Sequence, residues 1–266
     1  MTTPAPPPTE FAELDWNGKP LRLEYQRVAG PDQAPTVVFL HEGLGSVAIW
    51  RDFPARFCQA NALHGLVYSR YGYGRSTPRP HDERWQPDYL HQQAWDVLPA
   101  LLAQLGIARP WLFGHSDGAS IALLHAARFS AQIRGIIVEA PHITVEDKAI
   151  AGLLTARNAY SGGALRKALA RLHDDVDSAF YAWNESWLNP AFRSWDIRAE
   201  VAQITTPLMA IQGEGDEYGT LEQVYGIQRL VPHTRLLVLP GVGHTPHRDQ
   251  PELIIEEASR FLRDHS

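Results

Sequence analysis

The amino-acid sequence predicts an α/β fold: a mostly parallel sheet flanked by helices on both faces, with one helical insertion. Three observations carry that expectation. Short β-rich runs alternate with helical ones, the alternation stops between about Thr144 and Ile204, and a serine stands between two glycines where a strand candidate meets a helix candidate. Alternation favours a parallel sheet because each parallel pair needs a crossover, which a helix supplies.

The first strand candidates, Phe11 to Trp16 and Leu21 to Gln26, flank Asn17-Gly18. That pair favours the positive φ angles of a tight hairpin, so two antiparallel edge strands are expected. Buried strands are expected over Thr36 to Leu40, Gly65 to Ser69, Trp111 to Phe113, Ile136 to Val138, Leu208 to Gln212 and Arg235 to Leu239. Helical patterns cover Tyr89 to Leu105, Ala119 to Phe129, Leu221 to Leu230 and Pro251 to Arg263. In the region that breaks the alternation, helical stretches are separated by Ser161-Gly162-Gly163 and Asn189-Pro190. The chain therefore divides into a core, residues 1–143 and 205–266, and a helical cap, residues 144–204, inserted after the sixth strand. Phe180, Tyr181, Trp183, Trp187, Phe192 and Trp195 crowd the second half of the cap. Aromatics at helical spacing read first as the cap's own core; Trp183 and Trp187 are the candidates to line a pocket for an apolar ligand.

Composition narrows the partners. The chain has 266 residues, of which 44% are hydrophobic, enough for one large domain with an insertion. Its net charge of -6 and pI near 6.0 argue against nucleic acid or an anionic membrane, which favour a basic face. A small-molecule ligand is expected, and a homodimer is compatible with the composition. Cys58 is the only cysteine, so neither a disulfide nor a cysteine-based metal site can form within the chain. Met1 to Glu10, rich in Thr and Pro, reads as a disordered tail without the basic start or apolar core of a signal peptide. No apolar run is long enough to span a bilayer, and a soluble, cytoplasmic protein is expected.

The densest chemical signal is Gly114-His115-Ser116-Asp117-Gly118. A serine on a sharp strand-to-helix turn needs small residues two positions away on either side, because a Cβ there would crowd the turn. The helix that follows aims its N-terminal amides at any developing oxyanion. A serine hydroxyl also needs a base, and the base needs a carboxylate to fix its tautomer. Two later loops supply these types just past strand ends, where open parallel sheets place ligands: Gly213-Glu214-Gly215-Asp216-Glu217 and Gly241-Val242-Gly243-His244-Thr245-Pro246-His247.

The order Ser116, Asp216, His244, with His41 and its following glycines and the Tyr71-Gly72-Tyr73-Gly74-Arg75-Ser76 turn, resembles the α/β-hydrolase superfamily, in its capped branch, over nearly the whole chain. The resemblance implies Ser116 as nucleophile, His244 as base and Asp216 as acid. Glu214 and Glu217 compete in the acid loop, and Glu139 is the runner-up, since some members take their acid from there. His247 is a second candidate base, more in keeping with a supporting or surface position. The resemblance also implies an oxyanion hole from the amides of Asp117 and Gly43, with Leu44 as the alternative to Gly43. Glu42 departs from the common pattern, in which a glycine follows His41. A carboxylate beside an oxyanion site opposes negative charge unless paired or turned away. Glu42 is expected to bond loop amides or an arginine such as Arg70 or Arg75, with a polar or cationic substrate group as the alternative. The Asp117 side chain is expected to cap the helix. Glu42, His115, Trp183 and Trp187 complete the candidate substrate-binding set. The segment from His41 to Pro54 resembles a set of bacterial hydrolases.

His41-Glu42 does not begin a zinc-protease motif, because residue 45 is glycine. With no phosphate loop or dinucleotide fingerprint either, neither metal nor cofactor is expected. The expected activity is serine hydrolysis of an ester or related acyl bond, such as a lactone or thioester, in a small to medium, aromatic-compatible substrate. Carbon–carbon cleavage of ring-fission diketones is one alternative, and a ligand receptor on the same scaffold is another. Dehalogenase and epoxide hydrolase branches need a carboxylate where Ser116 stands.

Overall fold

The computed structural model describes residues 8–266 and contains eight strands: β1 (Glu10–Trp16), β2 (Lys19–Val28), β3 (Thr36–Leu40), β4 (His64–Tyr68), β5 (Trp111–His115), β6 (Gly135–Glu139), β7 (Leu208–Gly213) and β8 (Arg235–Leu239). They form one sheet in the order β1-β2-β4-β3-β5-β6-β7-β8. β2 pairs antiparallel with β1 and with β4, and the other pairs are parallel. Asn17 and Gly18 take φ of 54° and 77°, and the Gly18 amide donates to Asp15 Oδ1 at 2.9 Å, closing the expected hairpin. Of the expected tail, residues 1–7 lie outside the described residues. Glu10 already belongs to β1 and accepts a hydrogen bond from the Tyr25 hydroxyl, so a tail reaching residue 10 is too long.

Side chains alternate across the sheet, and two cores result. Val38, Leu40, Leu112, Ile136, Val138, Leu208 and Ala210 pack on one face with the helix Asp117–Phe129. Val37, Phe39, Phe113, Ile137, Met209 and Ile211 pack on the other, against the helices Phe53–Asn61 and Pro251–Asp264. The helix Asp117–Phe129 is buried at every position from Asp117 to Ala126, as befits one covered by the sheet on one side and other helices on the other. Phe53–Asn61 was not among the expected helices; Pro54 in its first turn and the apolar pair Phe53 and Phe57 were its signals. The stretch expected as one helix from Tyr89 is two segments, Tyr89–Gln92 and Leu98–Gln104, joined by a π-type turn over Gln93–Val97. Pro99 has no amide hydrogen to offer the carbonyl one turn back, which accounts for the interruption.

Between β6 and β7 the chain forms helices Asp147–Ser161, Ala164–Leu169 and Val176–Trp187, then shorter turns Pro190–Ser194 and Arg198–Val201. Asp175 caps the third helix, accepting from the Ser178 amide at 2.9 Å. Extended pairing here is limited to an isolated bridge, Thr144 with Asp196, among the described residues. Phe180 stacks on Tyr160 and Phe192 on Trp195 within this segment, and Phe192 also packs on Tyr89, so these aromatics join the core on that face of the sheet. Among the described residues no helix is long and apolar enough to cross a membrane.

Candidate active site

Parallel strands that end together place the loops after β3, β5, β6, β7 and β8 along one edge of the sheet. Ser116 follows β5 with φ 54° and ψ -117°, a sparsely populated conformation costing about 1–3 kcal/mol. The neighbouring glycines make that turn possible. A Cβ on Gly114 would stand 2.4 Å from the Gly118 carbonyl oxygen, and one on Gly118 would stand 2.0 Å from that of Leu40. The Ser116 amide donates to the Glu139 carbonyl at 2.9 Å, tying the turn to the end of β6.

Ser116 Oγ lies 3.0 Å from His244 Nε2, and His244 Nδ1 lies 2.8 Å from Asp216 Oδ1. Asp216 is buried and accepts further hydrogen bonds from the Tyr218 and Gly219 amides and the Gln212 side chain. Burial disfavours its charge, but the bond and charge of His244 and the Tyr218 amide outweigh it and hold the carboxyl at about 2. A carboxylate fixed in this way orients Nδ1–H inward and leaves Nε2 as an acceptor for the serine proton. Glu217 accepts from the His244 amide at 3.2 Å rather than from its ring. Glu139 instead faces His247, whose Nδ1 lies 2.7 Å from its Oε2. His247 is not at the surface: it is buried against Trp50 and Phe53 and packs on His115, in keeping with the supporting position.

Two expectations need correction. Asp117 does not cap the helix through its side chain. One oxygen accepts from the Tyr89 hydroxyl at 2.9 Å, the other from Trp187 Nε1 at 3.1 Å, and Arg70 lies 3.5 Å away. Burial pushes this carboxyl up, against the pull of Arg70 and its donors. Glu42 meets neither Arg70 nor Arg75 with its side chain. Arg70 Nη2 donates to the Glu42 backbone carbonyl at 2.9 Å, while Glu42 Oε2 lies 3.5 Å from His115 Nδ1. His115 Nε2 is already committed to the His244 carbonyl at 2.7 Å. Burial pulls the His115 imidazole down, but Glu42, and Glu139 behind it, raise it on balance. Burial likewise opposes the Glu42 charge, and His115 overrides it, holding the carboxyl at about 2. At 3.5 Å the attraction is chiefly between charges, because a strong hydrogen bond needs a shorter approach.

Ser116 opens into a cavity of about 300 Å3, at the small end of the range for ligand pockets. Glu42, Gly43, Leu44 and Asp117 form its floor, and His115 and His244 line it. Leu153, Leu165, Leu169, Trp183 and Trp187 come from the helices between β6 and β7 and form an apolar roof. Gly43 is where roof and floor meet: a Cβ there would stand 2.1 Å from Trp183 Nε1. The Asp117 amide is first in its helix and has no partner within it, and Gly43 and Leu44 both reach the cavity. His142 also lines the cavity and was missed. It lies just beyond β6, the position relative to a strand end that singles out Asp216 and His244. Burial, with the charge of His244, pulls its imidazole down to about 4. Among the described residues no His, Cys, Asp and Glu cluster could hold a metal ion.

The alpha/beta hydrolase family model matches residues 37–257. The chain belongs to the alpha/beta hydrolase family. A mouse sn-1-specific diacylglycerol lipase is 25% identical over 92% of this chain and 86% of its own. A putative carbamate hydrolase of Pseudomonas savastanoi is 28% identical over 82% of this chain and 90% of its own. A 2-succinyl-6-hydroxy-2,4-cyclohexadiene-1-carboxylate synthase of Enterobacter is 23% identical over 88% and 94%. Among solved structures, an enol-lactonase from Burkholderia xenovorans superposes with a TM-score of 0.73 at 20% identity, over 95% of this hydrolase and all of that chain. That likeness speaks for the fold alone.

Proposed function

We propose that this hydrolase cleaves an ester or related acyl bond, a lactone or thioester, of a small to medium apolar or aromatic substrate through an acyl-enzyme. The observation that carries the reading is the continuous relay from Asp216 through His244 to Ser116 Oγ, at 2.8 and 3.0 Å, opening onto a cavity with an apolar roof. His244 takes the Ser116 proton as Oγ attacks the carbonyl carbon, and Asp216 stabilises the resulting imidazolium. The amides of Asp117 and Gly43 hold the oxyanion. As the tetrahedral intermediate collapses, His244 returns the proton to the leaving oxygen or sulfur. Water then enters, gives its proton to His244 and releases the acid, regenerating Ser116.

The relatives named as a lipase and a carbamate hydrolase support acyl or carbamoyl transfer to water. The cavity volume and the two indoles of the roof favour a compact substrate over a polymer. Intact-mass spectrometry with a fluorophosphonate probe tests the reading, run beside turnover of short and aromatic p-nitrophenyl esters. One adduct on the wild type, absent from Ser116→Ala and His244→Ala, supports it. A folded wild type that forms no adduct and turns over no ester overturns it.

A further inference from the structure

A second cavity, of about 350 Å3, lies on the other side of the helix Val176–Trp187. Trp183 and Trp187 face Ser116, whereas Tyr181 and Glu185, about half a turn away, line this second space. Its walls come from both parts of the chain. Arg79, Arg84 and Trp85 belong to the loop between β4 and Tyr89, and Arg157 belongs to the helix Asp147–Ser161.

The three arginines are unusually uncommitted. None forms an ion pair among the described residues, and the cavity wall contains one carboxylate, Glu185. Arg79 is only 3% exposed, and its Nε has no hydrogen-bond partner among the described residues. A guanidinium withdrawn from water without a counter-ion is unfavourable, and an anion supplied from solution relieves it. Arg157 is held in place, since its Nε donates to Asn184 Oδ1 at 2.7 Å and Asn184 Nδ2 donates to the Leu153 carbonyl. The terminal nitrogens of Arg157 remain available. A larger groove of about 800 Å3 also contains arginines, but Glu24, Asp52 and Asp174 line it and Arg56 is paired with Glu252, so its charges offset.

We propose that the cavity at Arg79, Arg84 and Arg157 binds a small organic anion, a carboxylate or phosphate monoester, that bridges the core to the helical segment. Planar guanidinium groups match the paired oxygens of either anion. Trp85 and Tyr181 give the remainder of the ligand an apolar wall. Because Arg79 and Arg157 come from opposite sides of the seam, an occupant fastens the helix carrying Trp183 and Trp187 to the core. The site does not depend on the bond that Ser116 cleaves.

Isothermal titration with phenyl phosphate, benzoate and inorganic phosphate tests this, at low and high salt. One site per chain is expected, weakening with salt, and the ranking of the three probes identifies the anion and the share of the aromatic wall. Arg157→Gln should weaken binding about tenfold, the loss of one charge-assisted contact. Hydrogen exchange over Val176–Trp187 should slow on binding in the wild type. Arg248→Gln is the control, because Arg248 lines the cavity beside Ser116; its binding should be unchanged. If Arg79→Gln fails to fold, Arg84→Gln combined with Arg157→Gln decides. No binding at about 10 mM ligand overturns the proposal, since a few such contacts support a Kd of about 1 mM. So does unchanged binding in the Arg84→Gln/Arg157→Gln protein, or a loss confined to Arg248→Gln.

Discussion

Two imidazole–carboxylate pairs stand near the same strand ends and differ in what surrounds them. His244 lies 2.8 Å from Asp216, and His247 lies 2.7 Å from Glu139. The far nitrogen of His244 meets a serine hydroxyl at the mouth of a cavity, whereas the His247 ring is sealed beneath Trp50 and Phe53. The pair distance is therefore not what confers chemistry. A nucleophile and a route for substrate are needed at the second nitrogen; without them, the same pair is a buried polar cross-link between β6 and the loop after β8.

The largest effects should separate the pairs by activity. Ser116→Ala or His244→Ala should lower kcat for p-nitrophenyl esters by about 10^4- to 10^6-fold, and Asp216→Asn by about 10^4-fold. A Ser116→Ala/His244→Ala double variant should be no slower than the worse single variant, because the groups act as a unit. A comparable loss in folded His247→Gln would break the distinction and bring the second pair into the chemistry.

Stability should separate them in the opposite sense. Glu139→Ala leaves His247 buried without its carboxylate and should cost about 3 kcal/mol. In a chain of this size that lowers Tm by about 10 °C. Ester turnover below the new transition should remain within about tenfold of wild type, and melting and kinetics on one sample check both halves.

Acid titration gives a third, smaller effect. Asp216 is held at about 2 in the folded chain against an ordinary value of 3.8. A depressed carboxyl contributes stability above its unfolded value, and the contribution disappears as pH falls through the folded one. Asp216 should thus contribute about 2 kcal/mol at neutral pH, lost between about pH 4 and pH 2. Urea unfolding across that range should show a shallower acid limb in Asp216→Asn than in wild type. An unchanged slope would mean that the Asp216–His244 pair is no more coupled to folding than an exposed carboxylate.

What the sequence made legible follows from how local each signal is. Gly114 and Gly118 flank Ser116 within five residues, and their steric reason for being glycine can be read without coordinates. Ser116, Asp216 and His244 lie far apart, but each follows a recognisable strand, so a rule about strand ends gathers them. The same rule would have found His142. The partners of Asp117 and Glu42 were not legible, because Trp187 is 70 residues from Asp117 and no local pattern marks either contact. A capping role for Asp117 was the local solution, and a buried network of Arg70, Tyr89 and Trp187 displaced it. The roof was legible as an excess of aromatics, and Trp183 and Trp187, the two expected at the pocket, do line the cavity, while Phe180 packs on Tyr160 and Phe192 on Tyr89 and Trp195.

A third pair, Glu42 with His115, sharpens the comparison because it is intermediate in character. It borders the cavity as His244 does, yet no nucleophile touches it. Its 3.5 Å separation makes it a charge pair whose net effect on a substrate depends on whether His115 holds its second proton. Glu42 raises the His115 imidazole above its ordinary 6.5, so the pair is neutral overall below that value and gains a net negative charge as pH rises through the folded one. The wild type should therefore discriminate increasingly against anionic esters on the alkaline side. Glu42→Gln removes both the negative charge and the cause of the raised imidazole. For p-nitrophenyl hemisuccinate relative to the butyrate, kcat/KM should rise about five- to tenfold in that variant where the wild-type ratio has levelled off on the alkaline side, a shift of about 1 kcal/mol, consistent with partly screened charges. The ratio should also lose most of its pH dependence above 6.5. A ratio that is the same in both proteins across the whole alkaline range would show that Glu42 holds the loop and does not influence substrate charge. Its pairing with His115 would then belong with Glu139 and His247, as structure beside the chemistry.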